Sequence, residues 1–224
     1  MRLLLIRHGQ TSSNVIHALD TAAPGANLTE LGRTQAAVIP EVLSGERIDG
    51  LYVSNLVRTR QTAQPLADAR ALTPITRSGI REVSAGALEM RSDDEALKEY
   101  IEIVFGWPSE PDVRVGGGEN AHEMLARFDA VVAEAAAARM SDVAMVSHGA
   151  VIRAYAAARA TNVAPDYAAH HWLHNTGMVV LEGSLEAGWE MTRWIEDPLG
   201  GRELSGEPNE DPTGAPEELT VDGS

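Results

Sequence analysis

Short runs of consecutive apolar residues alternate along this chain with longer stretches in which apolar residues recur every three or four positions. The first run, RLLLIR at 2–7, stops at His8-Gly9, and similar runs stand at 51–53 and 143–146. Short unbroken runs of this kind fit strands buried on both faces. Within 120–139, Leu125, Phe128, Val132 and Ala136 fall on one helical face. Helices are also predicted over 58–69 and 150–160 and after Thr29, whose hydroxyl suits the cap of a helix carrying Leu31 to Val38. Late strands are predicted at 178–181 and 190–195. Such alternation predicts an α/β three-layer sandwich, a mostly parallel central sheet flanked by helices. In an open sheet of this class, chemistry lies just past the carboxyl ends of the strands.

Two of the predicted strands end alike, in Arg7-His8-Gly9 and in Ser147-His148-Gly149. That places two imidazoles on one rim. Taken singly, each histidine reads as a hydrogen-bonded plug at a strand end, and Arg58, in the first turn of a helix, reads as a solvated residue. Together they read differently. The glycines allow tight turns with amides left for a ligand, helix N-termini that favour an anion follow, and Arg7 and Arg58 add two guanidinium forks. The set suits a phosphoryl group.

Composition narrows the field. The chain has 224 residues and no cysteine, which excludes disulfides, thiolate metal sites and cysteine nucleophiles. A net charge of −15 argues against binding nucleic acid or an anionic membrane by bulk electrostatics. The opening apolar run is too short for a signal peptide or a membrane span. A cytoplasmic protein is expected. Residues 197–224 carry −7 of that charge among prolines and glycines, so a flexible acidic tail is expected to follow a domain spanning 1–196.

The stretch from Leu5 to Asn14, with Leu28-Thr29, Gly32, Gln35-Ala36, the segment from Ser54 to Ala63, Arg81-Glu82 with Gly86, Gly118-Glu119 and Ser147-His148-Gly149, resembles the signature motifs of the histidine phosphatase superfamily, in the family's order. The resemblance spans roughly Arg2 to Leu181 and implies the phosphoglycerate mutase-like fold. It implies that His8 is the nucleophile and passes through phosphohistidine. Arg7, Arg58 and His148 would stabilise the phosphoryl charge, with Gly9, Gln10, Asn14 and Gly149 completing the binding set. Glu82 would act as general acid and base, with Glu89 the fallback. The expected substrate is a small phosphomonoester, with no metal, cofactor, nucleic acid or membrane partner, and a homodimer is compatible with this reading.

The chain departs from the family pattern at Leu88-Glu89-Met90, where tryptophan-glutamate-glycine is usual, at Asn55 for proline and at Asn120 for serine. These positions bear on the shape of the substrate pocket, which residues 84–115 should set. A phosphoglycerate mutase is the rival within the family, but the span from Glu82 to Gly118 lacks the long basic insertion such mutases carry over the substrate. A non-catalytic phospho-ligand module is the rival outside it, and a positioned acid is superfluous there. Gly116 to Ala121 lacks the buried strand that a dinucleotide fingerprint requires. His170, His171 and His174 lie close in sequence without a companion ligand motif, so a packed segment or a pocket border is expected rather than a metal site.

Overall fold

The computed structural model describes residues 1–205 and 213–215. The elements run β1 (Arg2–Arg7), α1 (Ser12–Val15), α2 (Glu30–Val42), β2 (Gly50–Val53), α3 (Val57–Arg70), β3 (Ile75–Thr76), α4 (Asp94–Gly106), α5 (Ala121–Ala137), β4 (Asp142–Ser147), α6 (Gly149–Arg159), β5 (Met178–Ser184) and β6 (Gly188–Ile195). The sheet order is β3-β2-β4-β1-β5-β6. β1, β2 and β3 join the ladder in parallel through β4 and β2, whereas β5 and β6 are antiparallel. The sheet is therefore mixed, its parallel half carrying the strand ends predicted to bear the site.

The apolar runs alternate faces as strand geometry requires. Leu3, Leu5, Tyr52, Val143 and Met145 pack with side chains of α4, α5 and α6, whereas Leu4, Ile6, Leu51, Val53, Ala144 and Val146 pack with those of α2 and α3. Both faces are covered, which is why these strands tolerate no polar position. Thr29 caps α2 by accepting from the Gly32 amide at 3.0 Å, as its position predicted. Helix α4 lies within the stretch left without an assigned element. Asp93 caps it, and Ala96, Leu97, Tyr100, Ile101, Val104 and Phe105 are its buried residues.

No helix among the described residues is long and apolar enough to cross a membrane. The tail expected from 197 onward falls partly outside the described residues, at 206–212 and 216–224. In its described part, Leu199 is buried, Leu204 accepts from Gln35 Nε2 at 2.7 Å, and Gly214 and Ala215 are buried beside the sheet's carboxyl rim.

Candidate active site

β1 and β4 run in register, Arg7 opposite Ser147, and the His8 amide extends the ladder to the Ser147 carbonyl at 3.0 Å. The next residues on the two strands are His8 and His148, so pairing alone brings the imidazoles together. Their ring centroids lie 5.2 Å apart in an edge-on arrangement, and the residues are 2% and 0% exposed.

Two contacts determine the state of His8. Its Nδ1 lies 2.8 Å from the Gly9 carbonyl, which can only accept, so Nδ1 bears the hydrogen. Its Nε2 receives a hydrogen bond from Arg58 Nε at 3.0 Å, so that nitrogen presents a lone pair. Burial, then the charges of Arg58 and Arg7, holds the His8 pKa well below the ordinary histidine value. His148 is lowered in the same way by burial, then by Arg58, His8, Arg127 and Arg7. Both shifts favour the neutral ring.

The two arginines are held by different segments. Arg7 donates through Nη1 to the Leu173 carbonyl at 2.6 Å and through Nη2 to Thr213 Oγ1 at 2.9 Å. Arg58 also donates through Nη2 to the Asp20 carbonyl at 2.7 Å, and its Nη1 lies 3.6 Å from the Asp20 carboxylate. Asp20 is itself held by Ser13 Oγ and the Ala26 amide, both at 2.8 Å. Asn14 forms a reciprocal cap with Thr11, and Asn175 reaches both Asn14 Oδ1 and the His8 carbonyl.

Glu82 is 2% exposed. Its carboxylate accepts from the amides of Val83 (2.8 Å), Val151 (2.9 Å) and Ala150 (3.2 Å), the last two in the first turn of α6. Burial nevertheless raises its pKa, the amide bonds and Arg58 opposing. The backbone carrying it is clamped by Arg127, which donates to the carbonyls of Gly79, Arg81 and Glu82 and pairs with Glu119 at 2.7 Å. Glu119 in turn accepts from the Ser84 amide.

His8, Asn14, Asp20, Arg58, Glu82 and Thr213 line a cavity of about 20 Å³, room for about one water. A larger apolar cavity of about 360 Å³, bordered by Phe105, Trp107, Met124 and Leu125, contains none of the predicted site residues.

Other predicted groups are placed differently. Gln10 turns toward α2, where its Oε1 accepts from Thr29 Oγ1 and its amide donates to Gln35. The Gly9 amide, expected to await a ligand, donates to Thr62 Oγ1 at 3.0 Å. Gly9 is needed for another reason: a Cβ there would stand 2.6 Å from the Gly32 carbonyl, so loop and helix meet backbone to backbone. The N-terminus of α6, following Gly149, holds the protein's own Glu82 carboxylate. Glu89 accepts from the side chain and amide of Thr21 and from the Ala22 amide, and Thr21, not Glu89, borders the cavity at His8. His171 stacks on Tyr167 and His174 on Trp172, and no cluster of three potential metal ligands exists among the described residues. Asp20, Arg127, Arg153 and Thr213 were not foreseen. Of these only Arg153, fully buried in an otherwise apolar helix turn and bonded to the Ala168 and Thr213 carbonyls, carried a local signal.

The parallel strand rim thus gathers two imidazoles, two buried guanidinium groups and a buried carboxyl around His8. The family model of the histidine phosphatase superfamily (branch 1) matches residues 3–197. Phosphoserine phosphatase 1 of Hydrogenobacter thermophilus is 30% identical over 156 residues, 69% of this chain and 74% of that protein. PE-PGRS family protein PE_PGRS11 of Mycobacterium tuberculosis is 31% identical over 216 residues, 89% of this chain but only 37% of that protein's length. Among solved structures, a mycobacterial glucosyl-3-phosphoglycerate phosphatase complexed with VO3 superposes with a TM-score of 0.75 at 27% identity, covering 88% of this chain and 99% of that one. The chain belongs to the histidine phosphatase superfamily.

Proposed function

We propose that this chain is a phosphatase that hydrolyses a small phosphomonoester through a phosphohistidine on His8. The observation that carries the reading is the state of His8: Nδ1–H locked on the Gly9 carbonyl, Nε2 bare, the ring neutral between two arginines. Nε2 attacks phosphorus as the bond to the leaving oxygen breaks. Glu82, whose raised pKa favours the acid form, gives its proton to that oxygen and releases an alcohol. Water then attacks phosphorus, its proton returns to Glu82, and the P–N bond electrons return to Nε2. Arg58 must redirect its Nε–H hydrogen bond from His8 Nε2 to a phosphoryl oxygen, keeping its proton, and Arg7 assists there; preorganised charge of this kind is commonly the largest catalytic term. Nucleophile and acid are both side chains, so no step needs a metal. The relatives named for phosphoserine and glucosyl-3-phosphoglycerate support phosphoryl chemistry at this rim. A cytoplasmic site of action on a small phosphorylated metabolite, without nucleic-acid or membrane partners, completes the proposal; the net charge of −15 supports the last of these points.

The test is phosphate release from a panel of phosphomonoesters, 3-phosphoglycerate included, with EDTA present, comparing the native chain with His8→Ala. Release that survives EDTA and disappears in the variant is expected. Release unaffected by His8→Ala, or isomerisation of phosphoglycerate without release, overturns the reading.

A further inference from the structure

The hydroxyl of Ser54 is fully buried at the end of β2 and has three neighbours: the Leu56 amide at 3.1 Å, Thr59 Oγ1 at 3.1 Å and His148 Nε2 at 2.7 Å. A hydroxyl offers one hydrogen and two lone pairs, so the directions of these bonds can be counted. The Leu56 amide can only donate to Ser54. Thr59 sits 2.8 Å from the Leu56 carbonyl and 3.1 Å from the Ser54 carbonyl, which can only accept, so its hydrogen goes there. Thr59 Oγ1 therefore meets Ser54 as an acceptor and takes the serine's only hydrogen. The short contact to His148 then closes in one way, with Nε2–H donating to Ser54. A neutral imidazole has a single ring hydrogen, so Nδ1 of His148 is a bare lone pair. That atom is buried and has no hydrogen-bond partner among the described residues.

We infer that Ser54, oriented by Thr59, is a positioning residue that fixes His148 as the Nε2–H tautomer, so that a phosphoryl group enters the site together with one proton. The inference rests on the phosphoryl-transfer reading given above. A lone pair facing a dianionic phosphoryl group repels it; a proton between nitrogen and oxygen turns the contact into a charge-assisted hydrogen bond. Whether that proton is drawn on oxygen or on Nδ1, the bound composition is the same, and phosphate leaving as the monoanion restores the starting state. The groups around His148 keep the ring from acquiring the proton in advance. His8 and Arg7 face it from β1, Arg58 from α3 and Arg127 from α5, and burial acts in the same direction. Of the two carboxylates lining the site, Glu82 is held on the Ala150 and Val151 amides and Asp20 lies against Arg58.

Calorimetric titration of the full chain with inorganic phosphate tests this, at about pH 9, where phosphate is a dianion, in buffers of different ionisation heat. The native chain is expected to take up about one proton per phosphate bound, its affinity falling about tenfold per pH unit above neutrality. In Ser54→Ala, Nε2 loses its acceptor and the hydrogen is free to move to Nδ1. In Thr59→Val, the Ser54 hydrogen loses its own acceptor and turns onto Nε2, with the same result. Both variants should bind phosphate with uptake near zero and a flattened pH dependence. A purely structural role for Ser54 would weaken binding and leave the proton count unchanged. Phosphate binding without uptake in the native chain, or undiminished uptake in both variants, overturns the inference while leaving the phosphatase reading in place. Failure of the native chain to bind phosphate at all overturns both.

Discussion

Acidification should cost this protein stability through two residues in particular. His8 and His148 are neutral and buried in the folded chain, with pKa values lowered well below 6.5, and both are free to take protons once unfolded. In the folded state, a proton on His8 Nε2 would also set one N–H against the Nε–H of Arg58. The sign follows from linkage. The unfolded chain binds more protons below pH 6.5, so the stabilisation is complete above that value and is lost as pH falls toward the folded-state values. Two such groups give a slope approaching about 2.7 kcal/mol per pH unit, or about 4 kcal/mol between pH 7 and pH 5. Glu82 acts in the opposite sense, since its raised pKa lets the folded state bind a proton first as pH falls. The native chain should therefore lose about 2–4 kcal/mol over that interval, and Glu82→Gln should show the full loss. Urea unfolding followed at several pH values is the assay. With a denaturant slope of about 2 kcal/mol/M, the midpoint should fall by about 1–2 M from pH 7 to pH 5, and His148→Asn should remove about 2 kcal/mol of the loss, about 1 M of that fall. A native midpoint unchanged to within about 0.3 M would refute the reasoning.

Three further outcomes are expected. Glu119→Ala leaves the largely buried Arg127 cation without its carboxylate and should cost about 3 kcal/mol. A scanning melt should show this as a fall of about 6–12 °C, and turnover should drop because Arg127 also holds the backbone at Glu82. Gly214→Ala drives a methyl group onto Arg7 Nη1 and the Leu173 carbonyl and should destabilise by about 1–3 kcal/mol, whereas Gly45→Ala, facing open space, should fall within about 0.5 kcal/mol of the native chain. Arg58→Lys keeps the charge but loses the fork that spans His8 and Asp20, and kcat should fall by about a hundredfold or more in a steady-state assay.

What could be read in advance followed from periodicity and local chemistry. The strands at 2–7, 51–53 and 143–146 were visible because both faces of the sheet are covered, leaving unbroken apolar runs. His8, His148 and Arg58 were visible because strand ends and a helix start place them on one rim. Helix α4 was less evident: Asp93, Asp94, Glu95, Glu99 and Glu102 dominate its surface, and their charge drew attention from the apolar stripe of Leu97, Tyr100, Ile101, Val104 and Phe105. The acceptors and clamps around the site were not legible, because they depend on contacts distant in sequence. Arg58 finds Asp20 across 38 positions and Arg7 finds Thr213 across 206. The helix N-terminus after Gly149 was read as a seat for the ligand, and nothing local shows that Glu82, 68 residues earlier, already occupies it.

That occupancy has a consequence for how this scaffold can change its chemistry. His148 caps α6, and the first turn of the same helix grips Glu82, so the group proposed to steady the phosphoryl charge and the group proposed to supply the proton share one rigid mount. Their spacing is a property of the β4–α6 junction and of Arg127 behind it. The stretch from Ser84 to Val115 starts just beyond the gripped carboxylate; the buried face of its helix α4 belongs to the same core as α5 and α6, whereas its exposed, acidic face can be recharged without altering that spacing. New leaving groups can be accommodated by rewriting that exposed face, while the reaction centre keeps its dimensions.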